Sequence, residues 1–323
     1  YGSFNTWKNT IKAGTGLINN KFTFDTRISQ IQSDGYIDRA SSDLKSYYLA
    51  GAYHGKKTVL RANIFGGKEV TYQAWYGTPE SKISGNTADI QAYIDRNWIP
   101  QDQADNLLNS GRTYNFYTYD NEVDNYNQDR YQLHLTHKFS SRLNFNISGH
   151  YTYGRGYFEQ FREDDDFSTY NLSPVIAGTD TTSTTDLIRR RWLDNHFYGT
   201  VYSLNFNNSK GFELSVGGAA NAYEGDHFGE TIWARFASDS EIRDRYYEND
   251  AKKSEFGNYI KASFKKNKLT YFADFQHRYI NYRFLGQSSI NGAVVPVNRT
   301  VQYNFLNPKV GVSMSINNNS TLY

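Results

Sequence analysis

Tight turns near residues 19, 55, 141, 209, 266 and 318 punctuate this chain, and longer polar connections fall at every other strand junction between them. The segments flanking each turn alternate apolar and polar residues, the pattern of a strand with one apolar and one polar side. In the strand Phe212–Tyr223, the residues Phe212, Leu214, Val216, Gly218, Ala220 and Ala222 share one side. Glu213, Ser215, Gly217, Ala219 and Asn221 share the other. Strict sorting of connections by length places all short turns at one edge of a sheet and all long loops at the opposite edge. Greek-key sandwiches do not sort their loops in this way; up-and-down transmembrane barrels do.

The same reading extends along the chain. A first hairpin spans about Phe4 to Asp34 and turns at Asn19-Asn20, where two adjacent residues tolerate positive φ. A second turns at His54-Gly55-Lys56-Lys57 and a third at Ser140-Ser141-Arg142. The fourth, Phe197–Tyr223, turns at Asn207–Gly211, and the fifth at Lys266-Asn267. A further turn at Asn317-Asn318-Asn319-Ser320 leads into Thr321-Leu322-Tyr323, a strand that is cut short. With Tyr1 in place of an initiator Met, the chain reads as an internal piece of a longer protein. Long excursions are expected over about Glu69–Val123, Tyr157–Arg190, Glu224–Ala251 and Leu285–Arg299. Pro100 and Gly111 bracket a helix over Gln101–Ser110, and Ser238-Asp239-Ser240-Glu241 matches a capping box that would start another.

Composition supports many wet strands over a packed globule. The chain has 28 Tyr, 21 Phe and 5 Trp, yet only 38% of its residues are hydrophobic, and a soluble domain of this size fills its core with more Leu, Ile and Val. No run of about 18 apolar residues occurs, which excludes a transmembrane helix but not barrel strands, whose alternation keeps hydropathy low. The absence of Cys removes disulfides and thiolate sites. A net charge of +2 is too mild for a nucleic-acid partner. Aromatic residues gather near the tight turns, at Phe22, Phe139, Leu143–Phe145, Phe206, Phe212, Phe264 and Tyr271, as in an interfacial girdle.

The expected fold is therefore all-β, an antiparallel up-and-down transmembrane β-barrel, present in part. About eleven strands and a cut twelfth form a single domain over 1–323. A spanning sheet has to close, so the remaining strands lie elsewhere. The segment Asn307-Pro308-Lys309-Val310-Gly311-Val312-Ser313-Met314-Ser315-Ile316, with the turn and strand that follow it, resembles the later barrel of TonB-dependent outer-membrane receptors. Asp274-Phe275-Gln276-His277-Arg278-Tyr279 and the fourth hairpin are similar to strands of their Bacteroidetes-type members.

The resemblance implies the bacterial outer membrane, short periplasmic turns and long extracellular loops. It also implies a barrel of about twenty-two strands that is plugged by a domain absent from this sequence. It implies capture of a scarce ligand, an iron–siderophore, haem or cobalamin-type complex, and import energised by TonB–ExbB–ExbD acting on the plug. Outer-membrane lipid and a surface lipoprotein are the other partners it admits. Neither a cofactor nor an enzymatic activity is expected. Two alternatives stay open on the residues alone: a passive porin with the same barrel, and a soluble all-β module that binds glycans.

Candidate ligand contacts are the loop aromatics Tyr72, Trp75, Tyr76, Trp98, Tyr114, Phe116, Tyr117, Tyr119 and Trp233, because loops on a rigid scaffold commonly carry binding and aromatics give contact area at low entropic cost. Packing of the loops on one another explains them equally well. His134 and His150 share the polar side of the third hairpin, and Arg278 is a further lumen-facing candidate. Ordinary lumenal polarity is the simpler account of the two histidines. His134 and His137 point to opposite faces and cannot share an ion. Glu163-Asp164-Asp165-Asp166 offers oxygen ligands but lacks the spacing of a calcium loop, so it reads as a solvated acidic segment. Arg189-Arg190-Arg191 could meet an anionic ligand or lipid headgroups, although charge at a strand entry is ordinary. No phosphate loop, G-x-S-x-G elbow or H-E-x-x-H occurs.

Overall fold

The alternating segments pair into one antiparallel sheet. The structure, a computed structural model, describes residues 1–290, 293–317 and 319–323. Its strands are β1 (Trp7–Gly14), β2 (Phe22–Ser33), β3 (Ser42–His54), β4 (Thr58–Tyr72), β5 (Val123–Lys138), β6 (Leu143–Asp166), β7 (Val175–Ala177), β8 (Asp180–Thr182), β9 (Thr184–Asn207), β10 (Phe212–Ala234), β11 (Arg245–Lys266), β12 (Leu269–Ile290), β13 (Ala293–Asn317) and β14 (Ser320–Leu322). All but β7 and β8 join a 12-stranded sheet in sequence order; those two form a separate small hairpin within a loop. Each chain neighbour is a spatial neighbour, so the topology is a pure meander.

Register preserves the two faces across the whole sheet. Val216 lies opposite Leu204 on one side and Ile260 on the other, whereas Ser215 lies opposite Asn205 and Lys261. The apolar side continues through Phe145, Leu135, Leu60 and Leu49, and the polar side through Asn146, His134, Arg61 and Ala52. Gly217 keeps the polar side open: a Cβ there would sit 2.6 Å from the Tyr259 hydroxyl and from the Tyr202 carbonyl.

Burial is inverted relative to a water-soluble sheet. Ile11, Ile28, Leu133 and Val310 are 75%, 65%, 52% and 82% exposed on the apolar side. The buried clusters lie instead among the loops: Ile90, Ile94, Ala104, Leu107 and Tyr114; Phe167, Tyr170, Leu172, Leu187 and Tyr246; and Tyr72, Tyr117 and Val123. A contiguous exposed apolar face of this extent requires an apolar surround. Aromatics bound it at the turn edge, with Phe22 against Tyr53 and Phe206 against Phe212 at centroid distances of 5.4 and 6.4 Å.

Several expected connections are shorter than the residue pattern indicated. β6 runs to Asp166 and β9 starts at Thr184, while β10 runs to Ala234 and β11 starts at Arg245. The supposed loop Leu285–Arg299 is largely strand, paired from Leu285↔Asn298 to Ile290↔Ala293, so the expected sorting of connections fails at that one junction. Apolar alternation stops where the apolar surround stops, but backbone pairing needs no apolar side chains. Strands of 22 to 25 residues therefore project well past the 9–11 needed to span a bilayer. The capping-box helix at Ser238 is also absent. Ser238 has φ 53° and its hydroxyl donates to the Ser173 carbonyl, while the Asp239 carboxylate accepts from Ser173. The expected turn over Asn317–Ser320 includes residue 318, which lies outside the described residues.

Helix α1 (Glu80–Ser84), helix α2 (Thr87–Arg96) and helix α3 (Gln101–Asn109) occupy the loop between β4 and β5. The expected helix is α3, with Pro100 at its N-cap and Ser110, not Gly111, at its C-cap. α2 was not anticipated; Asn86 caps it by accepting from the N–H groups of Ala88 and Asp89.

The face assignment predicts an asymmetry between neighbours. Val216→Arg should destabilise the folded sheet in lipid by about 2–4 kcal/mol, whereas Ser215→Lys should cost little. Denaturant unfolding in vesicles measures both, and equal costs would contradict the assignment.

Candidate functional site

The site is built at the loop edge, where a buried polar network fixes an aromatic segment. Asn115 is fully buried, and its side-chain amide donates to the carbonyls of Asp38 (2.9 Å) and Gln73 (3.0 Å). Arg39 donates to the carbonyls of Tyr117 (2.9 Å) and Asn115 (3.1 Å). Gln73, also buried, donates to the carbonyls of Val123 and Glu159. Buried polar groups that are fully paired hold one arrangement, and here they tie residues 115–119 to the β2–β3 connection, β5 and β6.

Glu159 is the second anchor. Its carboxylate accepts from Tyr119 Oη (2.8 Å), Asn121 Nδ2 (2.6 Å) and Arg190 Nε (2.6 Å), and the Arg190 guanidinium lies 4.3 Å from the Tyr157 ring centroid. Beside it, Glu122 is 2% exposed; its Oε2 accepts from the Phe161 N–H (3.1 Å), while Oε1 has no partner. Burial pushes its carboxyl up to about 7, against the opposing pull of that N–H and of Arg162. Burial likewise raises the Tyr117 hydroxyl to about 12.

These anchors hold a wall of aromatic rings at the loop edge of the sheet. Tyr76 packs on Phe116 (4.8 Å) and Tyr117 (5.6 Å), and Trp75 on Tyr117 (6.4 Å) and Phe158 (5.2 Å). Arg191 continues the row, its guanidinium 5.6 Å from the Phe158 centroid and 5.3 Å from that of Tyr247, whose hydroxyl accepts from its Nε. Trp75 and Tyr76 remain 55% and 58% exposed. Edge-on and tilted rings with an adjacent guanidinium suit a ligand that is both flat and negatively charged.

The other candidates lie apart from this wall. Trp98, 90% exposed beyond α2, and Trp233 near the end of β10 make no ring contact with it among the described residues. Tyr72 and Tyr119 support it from below, the Tyr72 hydroxyl donating to the Tyr119 carbonyl. Tyr114 belongs to the helical cluster. His134 pairs with Ser148, and His150 with Asn221 while tilting onto Phe197; Arg278 donates to Glu255 (2.7 Å). Within the acidic run, Asp165 is held by Arg162 and by the Tyr170 hydroxyl instead of standing free in solvent. Among the described residues no group of three or more potential ligands could hold a metal ion.

A single meander with an apolar outer side, a polar inner side and its packed residues confined to one loop edge is the wall of a transmembrane β-barrel. Solved structures share it. The open form of the ferric-catecholate import receptor Fiu from E. coli K12 superposes with a TM-score of 0.65 at 13% identity, over 99% of this chain and 52% of that one. The unliganded ferric citrate transporter FecA gives 0.63 at 15% identity (98% and 40%), and the ferric yersiniabactin uptake receptor FyuA from Yersinia pestis 0.62 at 6% identity (98% and 43%). The chain thus has the fold of a barrel portion of TonB-dependent outer-membrane receptors and spans about half of the Fiu chain or less in the others. No family model and no curated sequence matches it.

Glu122 supplies a pH signature. Its folded carboxyl titrates near 7 against an ordinary 4.5, so the folded loop prefers the neutral form. Its stabilising contribution is complete below about pH 4.5 and is lost as pH rises through 7. The protection factor of the Phe161 amide should fall across that window, and Glu122→Gln should flatten the profile. A flat profile in the unsubstituted protein would contradict the burial argument.

Proposed function

We propose that this chain forms part of the barrel of an outer-membrane receptor that captures a metal chelate at its loop edge and imports it. In this reading the ligand is a ferric siderophore or similar complex. TonB–ExbB–ExbD supplies the energy through a plug domain contributed by other residues of the protein, and a surface lipoprotein is an admissible partner. The observation that carries the reading is the loop-edge wall of Trp75, Tyr76, Phe116, Tyr117 and Phe158, closed by Arg191. An anionic chelate with planar donor groups matches both of its chemistries. The likeness to receptors for ferric catecholate, ferric citrate and ferric yersiniabactin supports the same substrate class.

Ferric tris-catecholate quenching of tryptophan fluorescence in the detergent-solubilised intact protein tests the site. Arg191→Gln and Trp75→Ala should each weaken binding by roughly three- to thirtyfold, the range of a partly desolvated cation–π contact, while Trp98→Ala should leave it unchanged. Equal affinity in all variants would remove the wall from the site. Steady conductance in planar bilayers, without energised uptake, would favour a porin.

A further inference from the structure

Among the described residues two carboxylates are buried, Glu159 and Glu122, and only the first is paired with a cation. Glu122 accepts a single backbone N–H, from Phe161, and its Oε1 meets no partner. The charged and titratable groups around it are Glu159 and Arg162 of β6, Arg189 of β9, Tyr72 of β4, Asp124 of β5, and Tyr117, Tyr119 and Asp120 of its own loop. Both guanidinium groups are committed elsewhere. Arg162 donates twice to Asp165 (3.0 and 3.1 Å), and Arg189 donates to Gln160 and the Tyr170 hydroxyl. An ionised carboxylate in this place lacks a counter-charge, and burying an unpaired charge is costly. Burial therefore keeps the group neutral up to about 7.

The backbone of the same residue joins the bonds that carry the aromatic wall. Its carbonyl accepts from the Gln73 N–H (2.8 Å), and its N–H donates to the Tyr119 carbonyl (3.2 Å). Trp75 follows Gln73 by two residues, and Tyr117 precedes Tyr119 by two. Both strips of rings thus leave from residues bonded to Glu122. With 2% of its surface exposed, the side chain reaches water only if its segment moves, and that movement breaks the attachments to Gln73 and Tyr119.

We propose that Glu122 is a proton switch for the wall: neutral, it keeps Trp75, Tyr76, Phe116 and Tyr117 in the ligand-binding arrangement, and ionised, it departs with the 119–122 turn and loosens them. The arrangement that binds ligand is the one that holds the proton, so affinity falls as pH rises, by at most about tenfold per pH unit for one coupled proton. The consequence for ligand rests on the receptor reading; the motion does not.

Fluorine NMR of the intact protein in detergent, labelled with 5-fluorotryptophan, reads the motion without ligand. The Trp75 resonance, assigned with Trp75→Phe, should change between about pH 6 and 8, while that of Trp98 stays constant. Glu122→Gln should hold the low-pH signal throughout, with an unaltered heat-modified gel shift reporting the fold. Arg162→Gln, which removes a nearby positive charge, should move the midpoint upward, a displacement that a merely structural Glu122 would not show. Ferric tris-catecholate affinity, taken as the ratio to Glu122→Gln at each pH so that the chelate's own protonation cancels, should fall over the same window. A Trp75 signal independent of pH, or one that titrates identically in Glu122→Gln, overturns the proposal, as does a constant affinity ratio in a protein that binds the chelate. Titration of Trp75 in a protein that binds no chelate keeps the switch and removes the ligand reading alone.

Discussion

Everything in this structure depends on where backbone hydrogen bonds can be made. In hydrocarbon, an N–H or C=O without a protein partner costs several kcal/mol, so a spanning strand has to be flanked on both sides. The meander meets that demand for its interior strands and leaves β1 and β14 as the two edges. Given this, the side chains are free to sort: residues paired with Val216 turn outward and residues paired with Ser215 turn inward, in a register that shifts only near strand ends, as at Gly229/Glu230 and Arg162/Asp165. Packing contributes little within the sheet, which is why its apolar face is exposed while small cores form among the loops.

The loop edge follows different physics. Beyond the lipid, strands no longer need apolar faces, and their upper halves become a rigid rim on which connections can be mounted. Asn115, Gln73 and Glu159 each bind groups from chain segments tens of residues away, and the aromatic segment 115–119 is fixed by these bonds more than by its own contacts. A binding surface held in this way loses little side-chain freedom when a ligand arrives.

The hairpins were legible because period-two alternation and turn residues are local signals. Asn19 and Asn20 take the positive φ that their turn needs, and the faces of Phe212–Tyr223 are those read from its residues. Strand ends were not legible. The alternation that marks a strand is imposed by the lipid boundary, so it faded at Tyr157 and Glu224 while pairing continued. Asn291-Gly292, a strong hairpin dipeptide, was present within the supposed last loop. Of the site, Trp75, Tyr76, Phe116 and Tyr117 were visible as loop aromatics. The polar anchors were not, because no local pattern links Arg39 to Tyr117 or Gln73 to Glu159.

Arg189-Arg190-Arg191 shows how a triplet read as one charged patch divides once its strand is placed. Alternation sends Arg190 outward and its two neighbours inward. Arg190 bonds Glu159 and covers Tyr157; Arg189 bonds Gln160 and the Tyr170 hydroxyl; Arg191 alone joins the aromatic wall. The first two are largely spent on structure, since removing either would leave buried acceptors without a donor. Arg191 keeps its charge against ring faces and a neutral hydroxyl, with no carboxylate among its described contacts. The same wall also carries a carboxylate, Asp124, opposite Phe158 and beside Trp75. Arg191 is thus the one guanidinium of the triplet left to the aromatic wall, its two neighbours being committed to Glu159, Gln160 and Tyr170.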